Sequence, residues 1–197
     1  MMMISRCECG EPGRVELVDD LARIDHSFLR ATDECCYLAE YITGPRARAG
    51  RRVNQLIANL KCPPSVAATY PLRRRHKQRA VEALAAALRS AVSRSWAESA
   101  TWIPIPPSRS ASDRNYDDRL VRILRKAFTG YDVDIRTVLF QRESMAADHC
   151  QPRRTHIDSL FECIRVNWSA LGSRPLRERL VLFDDLLTTG KHYKLIL

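Results

Sequence analysis

The segment LVLFDDLLTTG, residues 180–190, constrains this chain more than any other. RLVLFDD, 179–185, reads as a clear buried strand. Two acids close it, and Thr188-Thr189-Gly190 then turns the chain toward a helix start. The order has a physical logic, because ligands in open α/β sheets bind beyond the carboxyl ends of strands. Free N–H groups at a helix amino terminus, with hydroxyls beside them, hold a phosphate monoester. Two adjacent carboxylates accept hydrogen bonds from vicinal hydroxyls such as those of a ribose. Together these residues describe a ribose 5-phosphate cradle. The plainer alternative, an acidic strand end before a Thr-capped helix, explains the caps but not the acid pair.

The remaining pattern suits such a sheet. Leu17, Leu21, Ile24 and Phe28 recur at helical spacing between Glu16 and Leu29. CYLAEYI, 36–42, admits strand or helix before Gly44-Pro45. Val53, Leu56, Ile57 and Leu60 line a helix ending before Pro63-Pro64, and Val81, Leu84, Leu88, Val92 and Trp96 predict a longer helix over about 76–97. TWIPIP, 101–106, reads as a strand entering a loop. A helix follows over about 114–128 with Tyr116, Leu120, Ile123, Leu124 and Ala127 on one side. DIRTVLF, 134–140, is a second strand, 141–156 is polar, and FECIRVN is ambiguous. Strands separated by helices of this length indicate βαβ units and a parallel sheet. The expected organisation is a loose leader over 1–14, a mostly helical part over 15–97 and an α/β core over 98–197.

Composition narrows the function classes. With 197 residues, 45% of them hydrophobic and 28% charged, the chain can bury a core and is not globally disordered. No run approaches the roughly 18–20 apolar residues of a membrane span, and MMMISRCECGEPGR is too polar after Ile4 for a secretory signal. Seven Cys cannot all pair, so they read as reduced thiols of a cytoplasmic protein, mostly small buried apolar groups. The net charge of +9 is carried almost wholly by Arg, since Lys61, Lys77, Lys126, Lys191 and Lys194 are the only lysines among 32 basic residues. Arg suits phosphorylated small molecules and nucleic acids, although a solvated surface explains the same excess. The basic clusters RARAGRR, 46–52, and LRRRHKQR, 72–79, leave a nucleic-acid partner open, against a solvated helix face. No Walker A loop, dinucleotide glycine motif or Gly-x-Ser-x-Gly elbow occurs.

At LVLFDDLLTTG the sequence resembles the type I phosphoribosyltransferases, whose loop for phosphoribosyl pyrophosphate (PRPP) has this pattern. The resemblance covers roughly residues 100–197, with an echo in YLAEYITG and NQLIANLK. It implies a parallel sheet flanked by helices and a cytoplasmic enzyme of nucleotide metabolism. Such an enzyme transfers a phosphoribosyl group to a nucleobase-like or amine acceptor and releases pyrophosphate. Asp184 and Asp185 would then bind the ribose hydroxyls as the catalytic acids. Thr188, Thr189 and Gly190 would hold the 5-phosphate, with Lys191 and His192 supplying charge where the family often has a further hydroxyl. WIPIPPSRSASDRNYDDRL, 102–120, looks like the first core strand and pyrophosphate loop of the branch related to ComF-type competence proteins. Arg114-Asn115-Tyr116 echoes that branch without its glycine, and Ser108, Arg109 and Ser110 become the pyrophosphate contacts.

QRESMAADHCQPRRTH, 141–156, falls where the family carries a mobile loop, which would bring Arg142, Arg153 and Arg154 over the diphosphate; an idle surface loop fits its composition equally. Magnesium is expected to arrive with PRPP rather than on protein ligands. Cys7, Cys9, Cys35 and Cys36 do not reproduce the paired Cys-x-x-Cys zinc module of ComF-type proteins, and no spacing makes His149, Cys150 and His156 ligands. A homodimer is compatible with the family. Its members continue past the phosphate loop through a helix and at least one further strand, whereas seven residues follow Gly190 here. The resemblance therefore implies a truncated or frame-shifted product, less soluble and less stable than an extended one. The alternative is a non-catalytic module on the same fold that senses a nucleotide or binds nucleic acid.

Overall fold

Trp102 sets the centre of the structure. In the computed structural model, which describes residues 15–42, 44, 48, 51–144, 163–187 and 190, its indole is fully buried. The ring lies 5.8 Å from Trp96, 4.8 Å from Phe128 and 6.3 Å from Phe183, centroid to centroid, and its Nε1 donates to Ala97 O at 3.0 Å. All five residues of its strand, Ala100–Pro104, are buried, because neighbours flank it on both edges and helices cover it, the arrangement a continuous apolar run requires.

The described elements in chain order are β1 (Glu16–Leu17), α1 (Asp20–Arg23), β2 (Cys36–Tyr37), α2 (Arg51–Leu60), α3 (Pro64–Thr69), α4 (Pro71–Ala91), α5 (Arg94–Glu98), β3 (Ala100–Pro104), α6 (Arg119–Ala127), β4 (Asp134–Ile135), β5 (Leu139–Gln141), β6 (Ile164–Val166), α7 (Trp168–Leu171) and β7 (Arg179–Phe183). The protein is mixed α/β. Its central sheet has the order β4-β3-β7 and is parallel throughout, with Ala100 opposite Arg179 and Pro104 opposite Phe183. Ile105 N extends the pairing by donating to Phe183 O at 2.9 Å. Two antiparallel two-stranded ribbons, β1-β2 and β5-β6, lie outside it. No helix among the described residues is long and apolar enough to cross a membrane.

The helical layer forms where local signals agree. Pro71 occupies the first turn of α4, where its missing N–H costs nothing. Ala80, Val81, Ala85 and Leu88 supply its buried face, against which α2, α3 and α6 pack. The single helix expected over 76–97 is instead two. Val92 is extended, and Ser93 caps α5 by accepting from Trp96 N at 3.3 Å. At the far end of α6, Arg89 donates to Ala127 O and Thr129 O, satisfying carbonyls the helix leaves open, while its guanidinium sits 4.3 Å from the Tyr131 ring centre.

Three expectations need correction. Glu16–Leu29 is not a helix. Glu16–Leu17 pairs with Cys36–Tyr37, Asp19 caps the four-residue α1, and Leu21 and Ile24 stand 78% and 75% exposed. The helix expected from about 114 starts at Arg119, because 113–116 is held as a turn, with Tyr116 N donating to Asp113 O at 2.8 Å. Asp113 Oδ1 accepts from Asn115 N at 2.8 Å, and Asn115 Oδ1 accepts from Ser65 N at 3.2 Å. The strand 134–140 is broken at Arg136. Its backbone N–H still follows the parallel sheet, to Trp102 O at 2.9 Å, but its guanidinium binds Asp134, Leu171 O and Pro175 O, and the chain then joins the antiparallel ribbon.

Candidate ligand site at the carboxyl edge of the sheet

Parallel neighbours deliver their carboxyl ends to the same edge. The loops after β3 and β7 therefore emerge together, and an open cleft with about 420 Å³ of empty space, part of it solvent, lies between them. Pro104–Pro107 form one wall, Tyr116–Val121 another, and Thr137, Leu139 and Asp184 complete it. Among the charged groups, Asp117, Asp118, Arg119 and Asp184 line this space.

The acid pair is divided. Asp184 lines the cleft, and its Oδ1 accepts the Asp185 N–H at 2.7 Å. Asp185 is turned inward, with its side chain only 4% exposed. Its Oδ2 lies 2.6 Å from Arg119 Nε and its Oδ1 3.2 Å from Lys61 Nζ. Arg119 also reaches Asp117 with Nη1 at 3.2 Å. Lys77 Nζ meets the same Asp117 oxygen at 2.6 Å while donating to Leu60 O and Cys62 O at 2.6 and 2.9 Å. The result is a chain of alternating charge, Lys61–Asp185–Arg119–Asp117–Lys77, buried at Asp185, Asp117 and Lys77 and part-exposed at its Lys61 end. Burial disfavours the Arg119 charge, but Asp185 and Asp117 outweigh it and hold its pKa above the ordinary arginine value.

Gly190 is buried with φ +81°, a conformation open to glycine and strained for residues with a Cβ. A Cβ there would come within 3.1 Å of the Leu29 side chain. Thr188, Thr189, Lys191 and His192 lie outside the described residues, as does the helix expected to follow them. Ser108, Arg109 and Ser110 sit on the β3 loop at the same sheet edge but do not line the cleft. Ser110 N donates to Ser144 Oγ at 3.1 Å, Ser144 Oγ donates to Asp113 Oδ2 at 2.8 Å, and Arg109 Nη1 is 3.5 Å from that oxygen. The Asn115 N–H and the Ser144 hydroxyl hold Asp113 below the usual carboxylate range. Arg142 is exposed and its N–H donates to Cys163 O at 2.8 Å. Arg153 and Arg154 lie outside the described residues.

Sequence reasoning missed Lys61, Lys77, Asp117 and Arg119. Lys77 carried a signal, since it stands four residues before Val81 and so in phase with the apolar stripe of α4. Asp117 and Arg119 carried none beyond charge near a helix start. Comparison of the chain with protein-family models, curated proteins and solved structures returned no match.

Proposed function

We propose that this protein binds PRPP or a nucleoside 5-phosphate on the loops after β3 and β7, on a fold of the type I phosphoribosyltransferase kind, and transfers the phosphoribosyl group to a nitrogen nucleophile. The observation that carries the reading is the parallel adjacency of these two strands, with Asp184 in the cleft between their loops. A ligand with a phosphate at one end and a diphosphate at the other needs two loops on one edge. In the transfer, the nitrogen lone pair forms the bond to C1′ as the C1′–O bond to pyrophosphate breaks, and the departing oxygen keeps the electron pair. The sugar passes through an oxocarbenium-like state.

Asp184 would orient the ribose hydroxyls, Ser108, Arg109 and Ser110 the leaving diphosphate, and Gly190 with its neighbouring amides the 5-phosphate. Among the described residues no group of three His, Cys, Asp or Glu side chains could hold a metal. The carboxylate of Asp184 at the edge of the cleft suits magnesium already carried by the diphosphate, where it would neutralise the departing charge. The reading implies a nucleobase-like or amine acceptor, a cytoplasmic role in nucleotide metabolism and room for a homodimer.

Titration calorimetry with PRPP, with and without magnesium, tests the binding step. Magnesium-dependent binding is expected, and Asp184→Asn should weaken it about 10- to 100-fold, the worth of one charged hydrogen bond or more. Absence of binding to PRPP and to ribose 5-phosphate by a folded protein would refute it. One observation favours the non-catalytic alternative. Arg73, Arg74 and Arg75 are all exposed in the first turns of α4, which has no acid in its first turn. Affinity for DNA or RNA falling steeply with salt, without pyrophosphate release on any acceptor, would support that reading instead.

A further inference from the structure

Asp184 and Asp185 are adjacent, yet they are placed differently. Asp185 has a cation on each oxygen and almost no exposed surface, whereas Asp184 borders the cleft. The two cations arrive from separate parts of the chain. Lys61 directly follows α2, and Arg119 opens α6. Arg119 is in turn fixed by Asp117, and Asp117 by Lys77 from α4. The end of α2 and the start of α6 thus meet at one residue of the loop after β7, and α4 braces Arg119 through Asp117.

We propose that Arg119 and Lys61 are positioning residues, which hold Asp185 as an internal anchor of the ligand loop so that Asp184, and not Asp185, is the carboxylate offered to the ligand. A ribose hydroxyl reaching Asp185 would compete with two charged donors at a carboxylate already withdrawn from water, and neutral donors are the weaker partners there. Fastening Asp185 from two sides orders the Asp184-Asp185 turn before a ligand arrives, which lowers the ordering cost of binding. The fork of arginine matters. Nε serves Asp185 while Nη1 serves Asp117, two directions that one ammonium group on a flexible stem does not match. This inference rests on the loop after β7 being the ligand loop, but the clamp itself is testable without ligand.

Amide hydrogen exchange on the 197-residue protein supplies that test, with Arg119→Gln, Arg119→Lys and Lys61→Met. Exchange at 184–187 should rise about tenfold or more in Arg119→Gln and less in Lys61→Met, while 101–103 and 181–183 keep their protection. Arg119→Lys, restoring one contact of two, should fall between wild type and Arg119→Gln; it and Lys61→Met also serve if Arg119→Gln does not fold. Unchanged exchange at 184–187 in the folded variants, or a loss of protection spread evenly over the sheet, overturns the clamp.

PRPP affinity then assigns the acids. Asp185→Asn and Arg119→Gln should share one loss, the double variant binding no more weakly than the worse single one, while Asp184→Asn adds a separate loss of about tenfold or more. Additive losses for Asp185→Asn and Arg119→Gln would make Asp185 a direct ligand contact and overturn the assignment. If the wild type fails to bind PRPP while exchange behaves as expected, the phosphoribosyl reading fails and the clamp stands.

Discussion

Replacing Lys77 by Met isolates the buried ammonium that ends the charge chain. Met keeps an unbranched, flexible stem in the α4 face, so little packing is lost. What disappears is the ion pair with Asp117 at 2.6 Å, in which both side chains are 6% exposed, together with the donors to Leu60 O and Cys62 O. Removing one partner of a buried pair costs about 3–5 kcal/mol, because the other charge is left uncompensated. Arg119 Nη1 remains 3.2 Å from the same Asp117 oxygen. Its partial compensation places the expected loss near the lower bound, about 3 kcal/mol. For a chain of this size about 1 kcal/mol moves Tm by roughly 2–4 °C, so a fall of about 6–12 °C is expected. Urea denaturation followed by circular dichroism gives the free energy directly, and an unchanged m-value confirms that two-state unfolding is retained. A loss below about 1 kcal/mol would show that the Lys77–Asp117 pair is not the buried, stability-carrying contact described here.

Acid should weaken the fold through Asp134. Burial opposes its charge, but hydrogen bonds from Arg136 and Thr101 and the charges of Arg136 and Arg174 hold its pKa below the usual carboxylate value. A depressed folded pKa means that the unfolded state binds more protons, so this stability is fully present above the unfolded pKa of about 4 and is lost as pH falls through the folded one. Tm measured from pH 6 down to pH 3 should drop, and Asp134→Asn should flatten the slope; a rise on acidification contradicts the assignment. Burial pushes the Cys35 and Cys36 thiols up to about 12 and about 11. At pH 8 iodoacetamide should therefore spare both in the native protein and modify them after unfolding, as read by mass spectrometry; equal rates in the two states would be inconsistent with their burial. Trp102→Ala should cost about 3–5 kcal/mol, removing the ring that Trp96, Phe128 and Phe183 surround, and a loss under about 1 kcal/mol would mean that β3 is not central.

What the sequence determined by itself is the identity of the segments with strong, local and redundant signals. WIP and LVLF are continuous apolar runs, and each lies in a strand of the central sheet because a strand buried on both faces calls for apolar side chains on both. Leu120, Ile123, Leu124 and Ala127 form the buried stripe of α6 as their spacing requires. The position of the acid pair at the carboxyl end of β7 is likewise local, since it depends only on where the strand ends.

Tertiary structure decided everything that depends on a distant partner. Leu17, Leu21 and Ile24 have helical spacing, but β1 is fixed by its pairing with β2 and α1 by the Asp19 cap, so the stripe has no core to meet. DIRTVLF is one run in sequence and two strands in space, because the Arg136 side chain binds carbonyls 35 and 39 residues away. Most consequential is the different placement of Asp184 and Asp185. They are the same residue type at consecutive positions and cannot be told apart in sequence. Arg119 stands 66 residues before Asp185, Lys61 lies still earlier, and only the folded chain brings both cations to one carboxylate and leaves its neighbour on the cleft.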